Sequence, residues 1–379
     1  MKLDEAGFNR PRRQLPIRPS GKCAVSELKQ SCPGLIVERP GLEGSEPSRQ
    51  FEPTLGHAVS SWQAWAADDE TRFRGSSGGV LTALAAWMIE TGKASQLIGA
   101  SVDRATPERS ADVQLHAGDN FLQLSGSRYA PVSIASRQEA LSSASVVVGK
   151  PCEAAALRKV MDVRGQEERP LLLSFFCAGV PSQLATERLL RELGIPGGAS
   201  IRTLRYRGHG WPGEFFVETN EGQTFATSYD ESWGKTLGPS MQWRCKICPD
   251  GVGESADIVA GDFWKTDAKG YPEFTDSSGV SALIARTRRG HEVIMSAIAA
   301  GVIVAEPLVL SQISAVQPLQ VDRRATLWGR VTGRRIAGWS VPEFRGFRLR
   351  RLAMQDLVKT VRYLYGSFRR SWMEKRREQ

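Results

Sequence analysis

Four cysteines in this 379-residue chain, Cys152, Cys177, Cys245 and Cys248, stand where a thiolate could do chemistry. Cys245 and Cys248 form a C-x-x-C followed directly by Pro249. Two intervening residues let both sulfurs turn toward one centre. Cys152 in VVVGKPCEAAAL and Cys177 in LLLSFFCAGVPS each end an apolar run and open a helical pattern. Each is therefore expected at a helix start, where partial positive charge favours the thiolate. One short loop and two strand ends supply enough thiolates for a closed tetrahedral site. On spacing alone three readings stay open: buried filler cysteines, a structural zinc and an iron–sulfur cluster.

A second set of residues suits an anionic ligand. In FRGSSGGVLTALAAWMIETG, Ser76 or Ser77 can cap the following helix, and Gly78 and Gly79 allow close backbone approach to an anion. Arg74 can pair with a phosphate. An ordinary capped helix start reads the same way. Asp257 and Asp262 flank a strand in ADIVAGDFW, suited either to a cofactor and a proton or to structural capping. Trp233, Trp243 and Trp264 can screen a redox centre or simply fill the core. His57, His116, His209 and His291 are not spaced as a metal pair, and no Walker loop occurs. Metal-assisted hydrolysis and phosphoryl transfer find no support.

The elements that would position these groups are legible as well. SVVVGKPCEAAALRKVM and LLLSFFCAGVPSQLATERLLRELG repeat one grammar: buried strand, cysteine-bearing loop, helix. Such units predict an α/β fold on a parallel or mixed sheet with flanking helices, whose ligands gather beyond the strands' carboxyl ends. Residues 200–240 read as an antiparallel β insertion. Residues 1–55, rich in Pro, Gly, Arg and Glu, read as an extended, loosely structured arm. The expected divisions are this arm, a domain over 56–136 with the Gly-rich loop, a domain over 143–310 with the cysteines, and a C-terminal extension over 311–379.

The net charge of +9 is concentrated at one end. From Arg345 onward eleven Lys/Arg face three Asp/Glu, so the tail carries +8 and the body is nearly neutral. A nucleic-acid surface across the fold is therefore not expected. In the tail, Leu349, Leu352, Leu357, Val361, Leu364, Phe368 and Trp372 are spaced like one helical face, suited to docking on the body, to an acidic partner or to a membrane surface. No apolar run reaches the length of a membrane span. MKLDEAGFNRPRRQ lacks the apolar stretch of a signal peptide, so a cytoplasmic location and reduced cysteines are expected.

The strings GSSGGVLTAL, GKPCEAAAL, FFCAGVPS and RCKICPDGVGESADIVAGDFW, in that order, resemble the coenzyme F420 hydrogenase/dehydrogenase beta-subunit family over roughly residues 55 to 310. The family is described as flavoproteins binding FAD and 4Fe–4S clusters. It includes electron-entry subunits of hydrogenases and formate dehydrogenases, 7-hydroxymethyl chlorophyll a reductase, and members encoded with polysaccharide-synthesis genes. The resemblance implies one 4Fe–4S cluster on Cys152, Cys177, Cys245 and Cys248. It implies FAD near Arg74, Ser76, Ser77, Gly78 and Gly79, near SGSRYAP with Ser127, Arg128 and Tyr129, and near Asp262. Many members carry a ferredoxin-like cysteine run ahead of a stretch like MKLDEAGFNRP; Cys23 and Cys32 cannot replace it, so a second cluster is expected only if the true start lies upstream of Met1. The implied activity is an oxidoreductase whose partner is a redox carrier (ferredoxin, deazaflavin or other) or a small-molecule substrate. The alternative is a zinc-stapled, non-catalytic accessory protein of surface-polysaccharide assembly.

Overall fold

A computed structural model describes residues 1–11, 22–41, 50–264 and 278–378. Strands β1 (Ser60–Ala66), β2 (Gln96–Val102), β3 (Ser110–Leu115), β4 (Ser145–Gly149) and β5 (Leu171–Phe175) precede an insertion of β6 (Ile201–Arg205), β7 (Glu214–Thr219) and β8 (Thr224–Ser228). Then β9 (Ile258–Asp262), β10 (Ser281–Ala285) and β11 (Ile303–Pro307) return to the first sheet, whose order is β11-β1-β10-β9-β5-β4-β2-β3. Its middle, β2, β4, β5 and β9, is parallel, and antiparallel strands extend it on both sides. The insertion is a separate antiparallel sheet. This is the mixed α/β architecture that the strand–loop–helix units predict.

The main helices are α1 (Lys22–Ser31), α2 (Val80–Glu90), α3 (Pro151–Arg164), α4 (Gln183–Glu192), α5 (Arg288–Ala299), α6 (Pro318–Ile336) and α7 (Leu357–Glu378). The apolar runs of the middle strands are explained by burial on both faces. Val146, Leu171, Leu173 and Ile258 share a cluster with Leu84 and Met88 of α2 and Ile294 of α5. Their neighbours Val147, Leu172 and Val259 instead join Ala154, Leu157 and Met161 of α3. The alternation is the two-residue period of a strand.

The two ends of the chain are tied to this body. Ser182 donates to the Ala6 carbonyl at 2.6 Å, and the Gln183 amide to that of Gly7 at 2.9 Å. Helix α1 packs on α3, and Ile36–Glu38 pairs in parallel with Glu343–Arg345. The described parts of residues 1–55 are thus anchored segments, where composition alone suggested a loose arm.

The tail forms a short helix, Leu349–Met354, and then α7, which packs along α6. Its sequence-read apolar face does not turn inward as a unit: Leu357 and Val361 are exposed, whereas Thr360, Ser367 and Ser371 are buried.

Candidate functional site

Cys152 lies in the first turn of α3 behind Pro151, which suits a helix's first position because its missing N–H has no partner there anyway. Cys177 follows β5, but no helix begins at it; α4 starts at Gln183. The Cys177 amide donates instead to the Gly251 carbonyl at 2.8 Å, lashing the end of β5 to the loop after the C-x-x-C. The expected helix start therefore holds for Cys152 and not for Cys177. Cys245 lies in the short helix Trp243–Lys246, with Cys248 just beyond it, and the Val180 amide donates to Cys245 Sγ at 3.5 Å.

The four thiols are close enough to act on one another. Burial, and then Cys245, Cys152 and Cys248, push the Cys177 thiol far up. Burial and Asp250 lead the causes that push Cys248 up to about 12, with Cys152 adding to them. Burial also raises Cys152, while Arg244 and Lys150 pull it back. Cys32 directly follows α1, its amide donating to the Leu28 carbonyl at 2.9 Å, and its sulfur flanks Gly34 together with Arg244 Nε. Cys23 is on α1, and its side chain lies outside the described residues.

Cations ring the thiols. The Arg244 side chain hydrogen-bonds Cys152. Lys150 caps α3, pairs with Glu153 at 2.8 Å and donates to the Val132 carbonyl at 2.9 Å. From α6, Arg323 donates to the carbonyls of Cys177, at 3.2 Å, and Ala178. Its neighbour Arg324 donates to the Pro249 carbonyl at 3.0 Å and pairs with buried Glu254 at 2.7 Å. Sequence reading missed this contribution. The available signal was the spacing of Gln320, Arg323, Arg324, Leu327, Val331 and Arg334, one helical face on which polar residues recur. From sequence it cannot be told from a solvated stripe.

The loops singled out for an anionic cofactor meet beyond the same sheet. Ser127 Oγ donates to Ser76 Oγ at 2.9 Å, joining the Gly-rich loop to SGSRYAP. Neither Ser76 nor Ser77 caps α2. The cap is Gly79, in the left-handed region at φ +72°, and it makes no side-chain cap bond. Ser77 Oγ donates to the Val280 carbonyl at 2.7 Å, and the Gly78 amide to Ser281 Oγ at 2.9 Å. The close approach these glycines permit is to the protein's own backbone, since a Cβ at Gly78 would stand 2.5 Å from the Ala64 carbonyl oxygen.

Arg74 pairs with Glu70 at 2.6 Å on the surface. Arg128 is pinned by the carbonyls of Leu204, Pro107 and Arg109 and by Ser110 Oγ. Tyr129 joins an aromatic group with Trp233 at 4.8 Å and Tyr206 at 5.8 Å. Asp262, at the carboxyl end of β9, accepts from buried Arg207 at 2.6 Å, and that guanidinium lies 4.7 Å from the Tyr229 ring. Burial opposes the Arg207 charge, and Asp262, Tyr129 and Tyr229 together more than restore it.

Arg207, in RYRGHGWPGE, was not singled out from sequence, although glycines on both sides of His209 mark a tight loop. A Cβ at Gly208 would stand 2.4 Å from the Arg74 carbonyl oxygen, so this loop seats directly on the end of the Gly-rich segment. Ser125 Oγ is buried there without a hydrogen-bond partner among the described residues. Asp257 sits at the other end of β9, accepting from the Leu172 amide at 2.9 Å and Thr287 Oγ1 at 2.8 Å. Its setting is that of a structural pin.

No curated protein matches this chain. A chain from the xenon-derivatised F420-reducing NiFe hydrogenase complex of Methanosarcina barkeri shares the fold. Its TM-score is 0.59 at 21% identity, over 78% of this chain and 98% of that one. Residues 61–138 match the N-terminal part, and residues 143–310 the C-terminal part, of the family described as coenzyme F420 hydrogenase/dehydrogenase, beta subunit. Motif order, fold and family match converge: the chain belongs to the coenzyme F420 hydrogenase/dehydrogenase beta-subunit family, and so to a family of oxidoreductases.

Proposed function

We propose that this chain is an iron–sulfur flavoprotein that passes electrons between a two-electron carrier or substrate and a one-electron partner, through FAD and one 4Fe–4S cluster. The pocket of four mutually interacting thiols carries the reading. Its chemistry fits an anionic thiolate-bound cluster, because Lys150, Arg244 and Arg323 set positive charge against it. Among the described residues no three His, Cys, Asp or Glu side chains are arranged to hold a single metal ion.

When bound, a flavin takes two electrons as a hydride and releases them singly, and a cluster carries them one at a time. The chain's own residues supply placement. Cys152, Cys177, Cys245 and Cys248 would ligate the cluster, and the Val180 amide would hold Cys245 sulfur. On the flavin side, the first amides of α2 lack a side-chain cap, and the Ser125 hydroxyl is buried without a partner among the described residues. Both suit the pyrophosphate of FAD. Ser76, Ser77, Gly78, Gly79 and Ser127 would shape that wall, and Tyr129 would supply a ring. Asp262, held by Arg207 through Oδ2, would accept a hydrogen bond from the cofactor through its other carboxylate oxygen. A reduced deazaflavin, ferredoxin or a small molecule is the proposed partner.

Purification without oxygen tests the reading. The protein should hold about four irons and absorb broadly near 400 nm, and denaturation should release FAD. Stoichiometric zinc without iron would instead establish the zinc-stapled accessory reading. Iron without flavin after reconstitution would leave a one-electron relay.

A further inference from the structure

Helix α7 presents its small residues inward and its large apolar ones outward. Thr360, Ser367 and Ser371 are buried against α6, where Gly329 and Gly333 bring the two backbones together. A Cβ at these glycines would stand 2.6 Å from the Thr360 and 2.2 Å from the Leu364 carbonyl oxygen. A second side, turned about 110° from the first, carries Leu357, Val358, Val361, Tyr365 and Trp372, exposed to 63%, 84%, 62%, 63% and 43%. At 3.6 residues per turn these five share an arc of about 100°, and the stripe runs about 22 Å along the helix. Arg362, Arg369 and Arg376 border one side of it, and the Arg376 guanidinium lies 4.0 Å from the Trp372 ring.

We propose that this face lays α7 flat on an anionic lipid bilayer. The charge of the segment decides the occupant: eleven Lys/Arg against three Asp/Glu from Arg345 onward make it complementary to an anionic surface. A second copy docking through the same stripe would set two such basic segments against each other. The stripe is a convex ridge along one helix and offers no groove to a partner's side chains. Tyr365 and Trp372 are of the type that settles at the headgroup level. No helix of the described residues is long and apolar enough to cross a membrane, so the mode is interfacial.

Flotation of the full holoprotein with vesicles is the test. It should float with equal parts phosphatidylglycerol and phosphatidylcholine and stay behind with phosphatidylcholine alone. Binding should fall roughly tenfold or more for Val361→Asp/Tyr365→Asp, and likewise for Arg362→Glu/Arg369→Glu. Val358→Asp, at the most exposed position, should weaken binding with melting temperature unchanged. Absence of flotation with anionic vesicles overturns the proposal, as does a Val361→Asp/Tyr365→Asp variant that floats like the parent. A parent that is dimeric, and that Val361→Asp/Tyr365→Asp renders monomeric, would assign the stripe to a second copy instead.

Discussion

A thiol buried among other thiols resists ionisation unless a bound cation takes up its charge. Cys177 and Cys248 are in that position, which makes the pocket poor as a set of free thiols and good as a ligand set. Cys245→Ser or Cys248→Ser should therefore strip most of the iron and the absorption near 400 nm, whereas Cys32→Ser should leave both intact; iron analysis and spectra of the anaerobic proteins decide. Arg323 offers a subtler probe, because it touches the carbonyls of Cys177 and Ala178 and not the sulfurs. One buried charge at such range is worth on the order of 1–2 kcal/mol at an effective dielectric near 20. Arg323→Met should lower the cluster's reduction potential by roughly 40–90 mV, taking 59 mV per tenfold, in a redox titration. An unchanged potential would make Arg323 a purely structural clamp. The cysteines could be found from sequence because their neighbours form recognisable strings. Arg207, Arg323 and Arg324 could not, because an arginine bonded to a distant carbonyl looks locally like any surface arginine.

Among the elements, the strand–loop–helix units were legible because burial on both sheet faces writes continuous apolar runs such as SVVVG and LLLSF. The tail helix was legible as a helix but not in its orientation. Its inner face is selected by the shape of α6, where glycines, and not apolar side chains, meet it. That gives a prediction whose sign propensity alone would reverse. In a solvated helix Gly→Ala stabilises by about 1 kcal/mol. At Gly333 the new Cβ would stand 2.2 Å from the Leu364 carbonyl oxygen and 2.9 Å from the Phe368 amide nitrogen, so α7 must move away. Overpacking of this kind costs about 1–3 kcal/mol. Gly333→Ala should therefore lower the urea midpoint of the full chain; a raised midpoint would mean that the helix pair is loosely held.

At the scale of the whole molecule, one buried carboxylate joins parts that the sequence presents as separate. Glu254 pairs with Arg324 of α6 and with Arg39 of the N-terminal region, each at 2.7 Å, from the loop that follows the C-x-x-C. Arg324 also donates to the Pro53 carbonyl at 2.9 Å, so arm, cysteine loop and C-terminal extension share one knot. Burial would raise the Glu254 pKa, but Arg324, Arg39 and Arg286 together hold it below the usual carboxylate value. A depressed carboxylate stabilises the fold above its unfolded value, near 4.5, and loses that contribution as pH falls through the folded value. Asp250 beside it has the opposite sign: burial, then Glu254, raise its pKa, so its contribution is lost as pH rises. Glu254→Gln leaves buried guanidiniums without their counter-charge, a change that typically costs about 3–5 kcal/mol. At neutral pH the variant should unfold at much lower urea, and its deficit should shrink below about pH 4.5 as the parent's Glu254 protonates. Hydrogen exchange should rise together in residues 36–39, in 249–254 and at the start of α6. Faster exchange confined to 249–254 would show that the three parts are held independently, and that the knot is a local feature of the cysteine loop.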